Sequence, residues 1–389
     1  MIYFDNAATS WPKPLGVLES MQKYLRENGA NPGRSGHKMS VAANEIVEET
    51  RELLSTMFKL NKPDRVIFAL NATDALNMAI KGLIKPGNHV VTSSMEHNSV
   101  TRPLHVLSQQ GVNVTKVSCG MDGSIDLKQL ESALQEDTKA IVILHASNVV
   151  GTLMPLHEIG KIAKQRGITL IVDAAQTAGV FNIDMELMHI DLLAVPGHKG
   201  LMGPPGTGVL LLGSNVKLDT LREGGTGSYS DTPGQPEVLP EKYESGTLNT
   251  VGIAGLNAGI KWLLKTGLAE IKRHELELAA RFLQGARQIK GLTIYGPRDA
   301  GKQAAVVSFA LKGKDSVDVG GALDKQYNIA ARAGLHCAPD AHRTLGTFDR
   351  KLVRFSWSYF NTAEEVDSAL NALDEISKSD LPKSEGCGC

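Results

Sequence analysis

Between about residues 65 and 215, short apolar runs alternate with stretches of helical periodicity. Val66-Ile67-Phe68-Ala69 reads as a strand and is followed by a helix through Ala75–Ile80. His89-Val90-Val91-Thr92 precedes a helix over about 102–110, and the strand-like 114–118 comes next. Ala140–Leu144 precedes a helix over 157–166, and two more strands follow at 169–172 and 191–195. Gly208–Leu212 reads as a hairpin partner of the last of these. This βα alternation predicts a mostly parallel sheet with helices on both faces. Ligands of such sheets bind at the carboxyl ends of the strands, where Thr73, His97, Asn148, Asp173 and Lys199 fall.

Beyond residue 250 the texture changes. Helical periodicity runs over 250–265 and 270–288, and strands are predicted at 292–294, 305–309 and 353–356. Helices over 317–324 and 363–376 complete an α+β module of about 130 residues, the size of a second domain. The last nine residues are polar and contain glycine, as mobile tails do.

Composition narrows the class without naming it. The 389 residues are 42% hydrophobic and 21% charged, as in an ordinary globular protein with ample core. A formal net charge of -1 supplies no global field for nucleic acid or an anionic membrane. No apolar run approaches the ~20 residues needed to span a bilayer, and no basic segment leads into an apolar one near the first methionine, so a cytoplasmic location is expected. The four cysteines, Cys119, Cys337, Cys387 and Cys389, are too few for a disulfide framework. Cys119 after its strand reads as a small apolar filler.

The candidate chemistry starts at His198-Lys199, just past the strand 191–195. The preceding strand ends on Asp173. An acid at one strand end and a lysine at the next suit pyridoxal 5'-phosphate: the carboxylate pairs with the pyridinium nitrogen and the amine forms a Schiff base with the aldehyde. Gln176 is placed to reach the phenolic oxygen. The segment 71–76 ends a strand and opens a helix, so its free N–H groups and the Thr73 hydroxyl form a phosphate cradle, with Asp74 in the same turn. His97 follows the next strand, in position to stack on a ring.

The chain resembles the cysteine desulfurases and selenocysteine lyases of the class V aminotransferase family, over nearly its whole length. The motifs are Tyr3-Phe4-Asp5-Asn6-Ala7-Ala8, Asn31-Pro32-Gly33-Arg34-Ser35-Gly36-His37, Glu96-His97-Asn98 and Ser147-Asn148-Val149-Val150-Gly151-Thr152. They continue with Val172–Gln176, Gly197-His198-Lys199, Glu244-Ser245-Gly246-Thr247-Leu248-Asn249 and Arg332-Ala333-Gly334-Leu335-His336-Cys337-Ala338. The resemblance implies a fold-type I architecture with a seven-stranded sheet in a large domain, residues 15–258. It also implies a small domain from 1–14 and 259–380, and a homodimer. By the same resemblance, Lys199 holds the cofactor and serves as acid and base, with His97 stacked on the ring. Thr73 and His198 hold the phosphate together with Thr247 of the other subunit. Asn148 and Arg354 bind the substrate carboxylate, with Arg332 and His336 beside them.

Cys337 is the expected sulfur-accepting nucleophile, in a short constrained loop closer to the SufS-like group, with Arg332 and His336 as cations that favour its thiolate. The resemblance implies conversion of L-cysteine to L-alanine with a persulfide on Cys337. The same residues serve a selenocysteine lyase acting on L-selenocysteine, and an aminotransferase or other lyase is a more distant reading. The sequence does not name the acceptor protein. Two departures from the pattern stand out. Pro196 replaces the hydroxyl residue two places before the His-Lys pair, which leaves the phosphate to neighbours such as the Gly197 N–H. The ending Gly386-Cys387-Gly388-Cys389 reads as a sulfur relay, a Cys-x-Cys metal half-site or a terminus without function.

Overall fold

The computed structural model describes residues 1–33, 36–228 and 230–381. Cys387 and Cys389 lie outside the described residues. In chain order the strands are β1 (Ile2–Tyr3), β2 (Val66–Ala69), β3 (His89–Ser93), β4 (Asn113–Val117), β5 (Thr138–Leu144), β6 (Thr169–Asp173) and β7 (Leu192–Pro196). They continue with β8 (Gly208–Leu212), β9 (Leu292–Tyr295), β10 (Val306–Leu311), β11 (Ile329–Ala330), β12 (Arg332–Gly334) and β13 (Leu352–Ser356).

Seven strands form the central sheet in the order β2-β8-β7-β6-β5-β3-β4. Strands β3 to β7 run parallel, and β8 is antiparallel to both of its neighbours. Alternate residues along each strand enter opposite cores because side chains point to opposite faces. Val91, Ile141, Ile143, Val172, Leu193, Val209 and Leu211 pack on one side. Val90, Ala140, Val142, Ile171, Leu192, Leu210 and Leu212 pack on the other. Both faces are covered, so the strands read as continuous apolar runs rather than alternating ones. The mostly parallel sheet expected from the sequence is the sheet observed.

A second sheet, β12-β13-β10-β9, is antiparallel throughout. The helices Leu268–Ala286, Ser316–Tyr327 and Ala363–Lys378 cover it around Phe282, Phe309, Leu323, Phe355, Val366 and Leu373. Phe4 belongs to this same core, and β1 pairs in parallel with β11, so the start of the chain is tied to its last third. Among the described residues no helix is long and apolar enough to cross a membrane.

Two helices carry no clear signal in the sequence, Leu15–Glu27 and Lys38–Met57. The first starts after Pro14 without a side-chain cap and buries only Val17 and Tyr24, while Leu15, Leu18 and Leu25 stay exposed. Two others begin earlier than their apolar periodicity suggests. Helix Ala72–Leu83 starts at its Asn71 cap, and helix Asn98–Ser108 starts at its His97 cap. Caps lie outside the apolar pattern, which locates only the buried face of a helix.

Helix Lys38–Met57 also supplies Arg51, which is 2% exposed. Its guanidinium grips the buried Glu244 through two bonds of 2.8 and 2.6 Å, and Glu244 also accepts the Phe68 N–H at 2.6 Å. The pair ties the segment carrying Thr247 to β2. Arg51→Ala leaves the Glu244 carboxylate buried without its partner, and an expected loss of ~3–5 kcal/mol follows. Chemical denaturation of the two proteins measures it; a loss under ~1 kcal/mol would show that the pair is not structural.

Candidate active site

A cavity of about 200 Å³ opens at the carboxyl ends of β5, β6 and β7 and is closed on its far side by β12 and β13. Asp173 is the last residue of β6, is 5% exposed and accepts the Ala175 N–H at 2.9 Å. Burial raises its pKa above the usual carboxylate value, while that amide bond and the charge of Lys199 oppose the shift. Lys199 sits in the turn after β7, and its side chain lines the cavity. Enclosure by protein brings its amine down to about 8, against the pull of Asp173 and with the help of Arg354 and Arg332. At that value a useful fraction of the amine is unprotonated near neutrality.

His97 caps its helix, with Nδ1 accepting the Ser99 N–H at 3.1 Å and lying 2.9 Å from Ser99 Oγ. Burial, and then the charges of Lys199, Arg332, Arg354 and Arg102, lower its pKa to about 4, so the ring is neutral. This fixed, uncharged imidazole is among the groups that line the cavity. Thr73 stands in the first turn of helix Ala72–Leu83, with its hydroxyl 2.7 Å from that of Ser99. Two hydroxyls and the open N–H groups of a helix start make a site for a dianionic group. The helix start is placed by Gly208, where a Cβ would come within 2.4 Å of the Asn71 backbone.

His198 lines the cavity, bonded through Nδ1 to Thr9 Oγ1 at 3.0 Å and lowered to about 4 by burial and then by Lys199 and Lys13. Gln176 lines it too and donates to the Ala7 carbonyl at 3.2 Å. Two expectations about the phosphate side do not match the geometry. Asp74 is not in the cavity lining; its carboxylate pairs with Arg222 at 2.9 and 3.1 Å and accepts the Leu70 N–H. The Gly197 N–H is already given to the Thr207 carbonyl at 2.8 Å, because Pro196 and Gly208 pair across β7 and β8. The hydroxyl absent at Pro196 is therefore not replaced by that amide. Ser99, which sequence reasoning missed, stands in the cradle with Thr73; its sequence signal is its place two residues after a capping histidine.

On the other wall, Arg354 is 1% exposed and binds the Asn148 carbonyl at 2.9 Å and Asp5 Oδ1 at 2.7 Å. Its Nε and the Asn148 Oδ1 are buried without hydrogen-bond partners among the described residues. Such orphaned groups cost about 1–3 kcal/mol each and suit a site whose ligand completes them. Asn148 Nδ2 donates to the His336 carbonyl at 2.6 Å.

Cys337 is exposed and follows His336, both in left-handed backbone conformations, φ 55° and 53°. For non-glycine residues this costs on the order of 1–2 kcal/mol each and serves here to turn the thiol outward. Arg332 Nη2 lies 3.4 Å from its sulfur, and its carbonyl accepts the Asn98 N–H at 2.8 Å, next to His97. His336 does not assist the thiolate as a cation. Its ring is buried, bonded to His342 and to the Arg332 carbonyl, and held well below the ordinary histidine value by burial first. Thr247 is exposed and lies outside the Lys199 cavity, in a separate pocket with Phe68, Leu70 and Tyr243. Cys119 is part-buried, and burial pushes its thiol up to about 11, as an inert filler requires.

Residues 2–369 match the aminotransferase class-V family. A probable cysteine desulfurase of Methanothermobacter thermautotrophicus is 34% identical over 96% of this chain and 94% of that protein. Another from Pyrococcus abyssi is 35% identical over 97% of this chain and 95% of that one. The apo structure of a cysteine desulfurase from Thermococcus onnurineus NA1 superposes with a TM-score of 0.88 at 34% identity, covering 97% of this chain and 94% of that chain. The expected fold-type I architecture is thus shared with a solved relative. With residues 2–369 matched and its strand-end acid, lysine and arginine gathered in one cavity, this chain belongs to the aminotransferase class-V family.

Proposed function

We propose that this protein is a pyridoxal 5'-phosphate-dependent cysteine desulfurase that converts L-cysteine to L-alanine and keeps the sulfur on Cys337. One observation carries the reading. A lysine amine and a buried acid at adjacent strand ends face a buried arginine across a single cavity, with an exposed cysteine turned out beside it. The cavity fits the cofactor: Asp173 for the ring nitrogen, His97 for the ring face, Gln176 for the phenolic oxygen, and Thr73, Ser99 and His198 for the phosphate. When bound, the cofactor supplies an electrophilic carbon for the substrate amine and a ring that takes up the electron pair released at Cα.

The residues of the chain do the rest. Arg354 and Asn148 hold the substrate carboxylate with the polar atoms that lack protein partners. Lys199 takes the Cα proton and later returns a proton to the product. The Cys337 thiolate attacks the substrate sulfur; an S–S bond forms, the Cβ–S bond breaks, and its electron pair stays with the carbon that becomes the alanine methyl group. Cysteine and a thiol thus give alanine and a persulfide, with no outside oxidant. Thr247, exposed and remote from its own cavity, completes the phosphate site of a second copy in a homodimer. Incubation with L-cysteine and mass spectrometry tests the reading: alanine equal to the sulfur added to Cys337 and the thiols it feeds, or released from them as hydrosulfide, supports it. Release of pyruvate and ammonia with no added sulfur would overturn it.

The two terminal thiols extend the same chemistry. Cys387 accepts the outer sulfur from Cys337, and Cys389 then displaces it as hydrosulfide by closing a Cys387–Cys389 disulfide. Closing the disulfide uses the relay once, so without added reductant each chain should release one hydrosulfide; Cys387→Ser/Cys389→Ser is expected to leave persulfide formation on Cys337 intact and to abolish that release. Unchanged hydrosulfide release in the double variant rules the relay out.

A further inference from the structure

Behind Lys199 lies a second chamber of about 40 Å³. Lys199 and Gln176 line both this chamber and the main cavity, so the lysine stands in the wall between them. The remaining polar lining includes Glu275 from helix Leu268–Ala286, and Trp357 and Ser358 just past β13. These three residues are 5%, 3% and 3% exposed. Trp357 Nε1 and Ser358 Oγ have no hydrogen-bond partner among the described residues. Leaving a buried donor unsatisfied costs about 1–3 kcal/mol, and both residues line this one chamber. A space of this size has room for about two or three waters, held by the polar groups in its lining.

We propose that the chamber holds a short chain of ordered water through which Glu275, as a carboxylic acid, exchanges a proton with Lys199. The inference rests on the acid–base role given to Lys199 above. The Glu275 acid gives its proton to a water, which passes one of its own to the lysine amine. The products are a carboxylate and an ammonium, and the reverse transfer restores both groups. No oxidant or further reactant enters. Glu275 touches neither substrate nor cofactor and is a positioning residue acting through Lys199.

The electrostatics suit that exchange. Burial pushes the Glu275 carboxyl up to about 8, opposed only by the Tyr359 N–H, with no charged side chain contributing. Burial lowers Lys199 to about 8, with Arg354 and Arg332 adding to the shift and Asp173 and Asp5 opposing it. With the carboxyl raised and the amine lowered, a proton passes between them without a large uphill step.

Three measurements test the proposal. A crystal structure of the holoenzyme should show ordered waters bridging Glu275, Trp357 Nε1, Ser358 Oγ and the Lys199 side of the chamber. Infrared spectra of the cofactor-free protein at neutral pH should contain a protonated-carboxyl band that shifts in D2O and loses intensity in Glu275→Gln. With L-cysteine, Glu275→Gln should lower kcat about tenfold at unchanged KM and raise the solvent deuterium effect. Ser358→Ala, which removes only a water ligand, should move both in the same direction. An ionised Glu275 in the wild type, a chamber without bridging water, or both variants at wild-type kcat and isotope effect would each overturn the relay. If the wild type makes no alanine, the desulfurase reading fails, while the crystallographic and infrared results still decide the state of the chamber.

Discussion

Replacing Lys199 with alanine is expected to abolish alanine formation from L-cysteine, by ~10⁴-fold or more, and to remove the visible absorption of the lysine-linked cofactor. The size of the effect follows from the position of the amine. Among the described residues it is the one lysine lining the main cavity, and burial, despite Asp173, brings it to about 8, where it can both accept and return a proton. The cofactor should still bind without the covalent link, since Asp173, His97 and the Thr73–Ser99 cradle are untouched. The loss should therefore appear in kcat, and an added primary amine should restore part of it. Turnover within tenfold of the wild type would mean that another base takes the Cα proton. The measurement is alanine production by the purified variant after saturation with the cofactor.

The residues that were legible in the sequence share one property: their positions follow from short-range pattern. Asp173 and Lys199 stand at the ends of apolar runs, and Thr73 at a strand-to-helix junction, so periodicity alone brings them to one edge of the sheet. Arg354 was named from the resemblance, but the partnerships such residues make across the chain were not legible. Arg354 meets Asp5 across 349 positions, and Arg51 meets Glu244 across 193, and no local pattern links either pair. His336 shows the same limit in another form. Beside Cys337 in the chain it looks like a cation that activates the thiol, yet its charge state depends on burial against His342. Sequence proximity says which groups adjoin, and burial decides which are charged. Glu275 and Trp357 were illegible for a related reason, since a chamber has no sequence signature until its walls meet.

Cys337→Ser should separate the two halves of the reaction. The serine hydroxyl fits the left-handed turn no worse than the thiol, and the Asn98 contact is made by the backbone carbonyl, so the fold should be unaffected. What disappears is a polarisable nucleophile held 3.4 Å from the Arg332 guanidinium. Alanine formation from L-cysteine should fall by about 10³-fold, some 4 kcal/mol of barrier, with no sulfur on the peptide. The proton step does not use this residue, so the variant should still exchange the Cα hydrogen of L-cysteine with deuterium from solvent. Lys199→Ala should lose both activities. Loss of exchange together with loss of alanine in Cys337→Ser would place the thiol in the proton step and contradict this division of labour between Lys199 and Cys337. L-selenocysteine supplies a further discriminant, because a selenol leaves more readily than a thiol. If Cys337→Ser retains full turnover of selenocysteine while losing cysteine, the attack by Cys337 is specific to sulfur, and the cavity alone suffices for selenium.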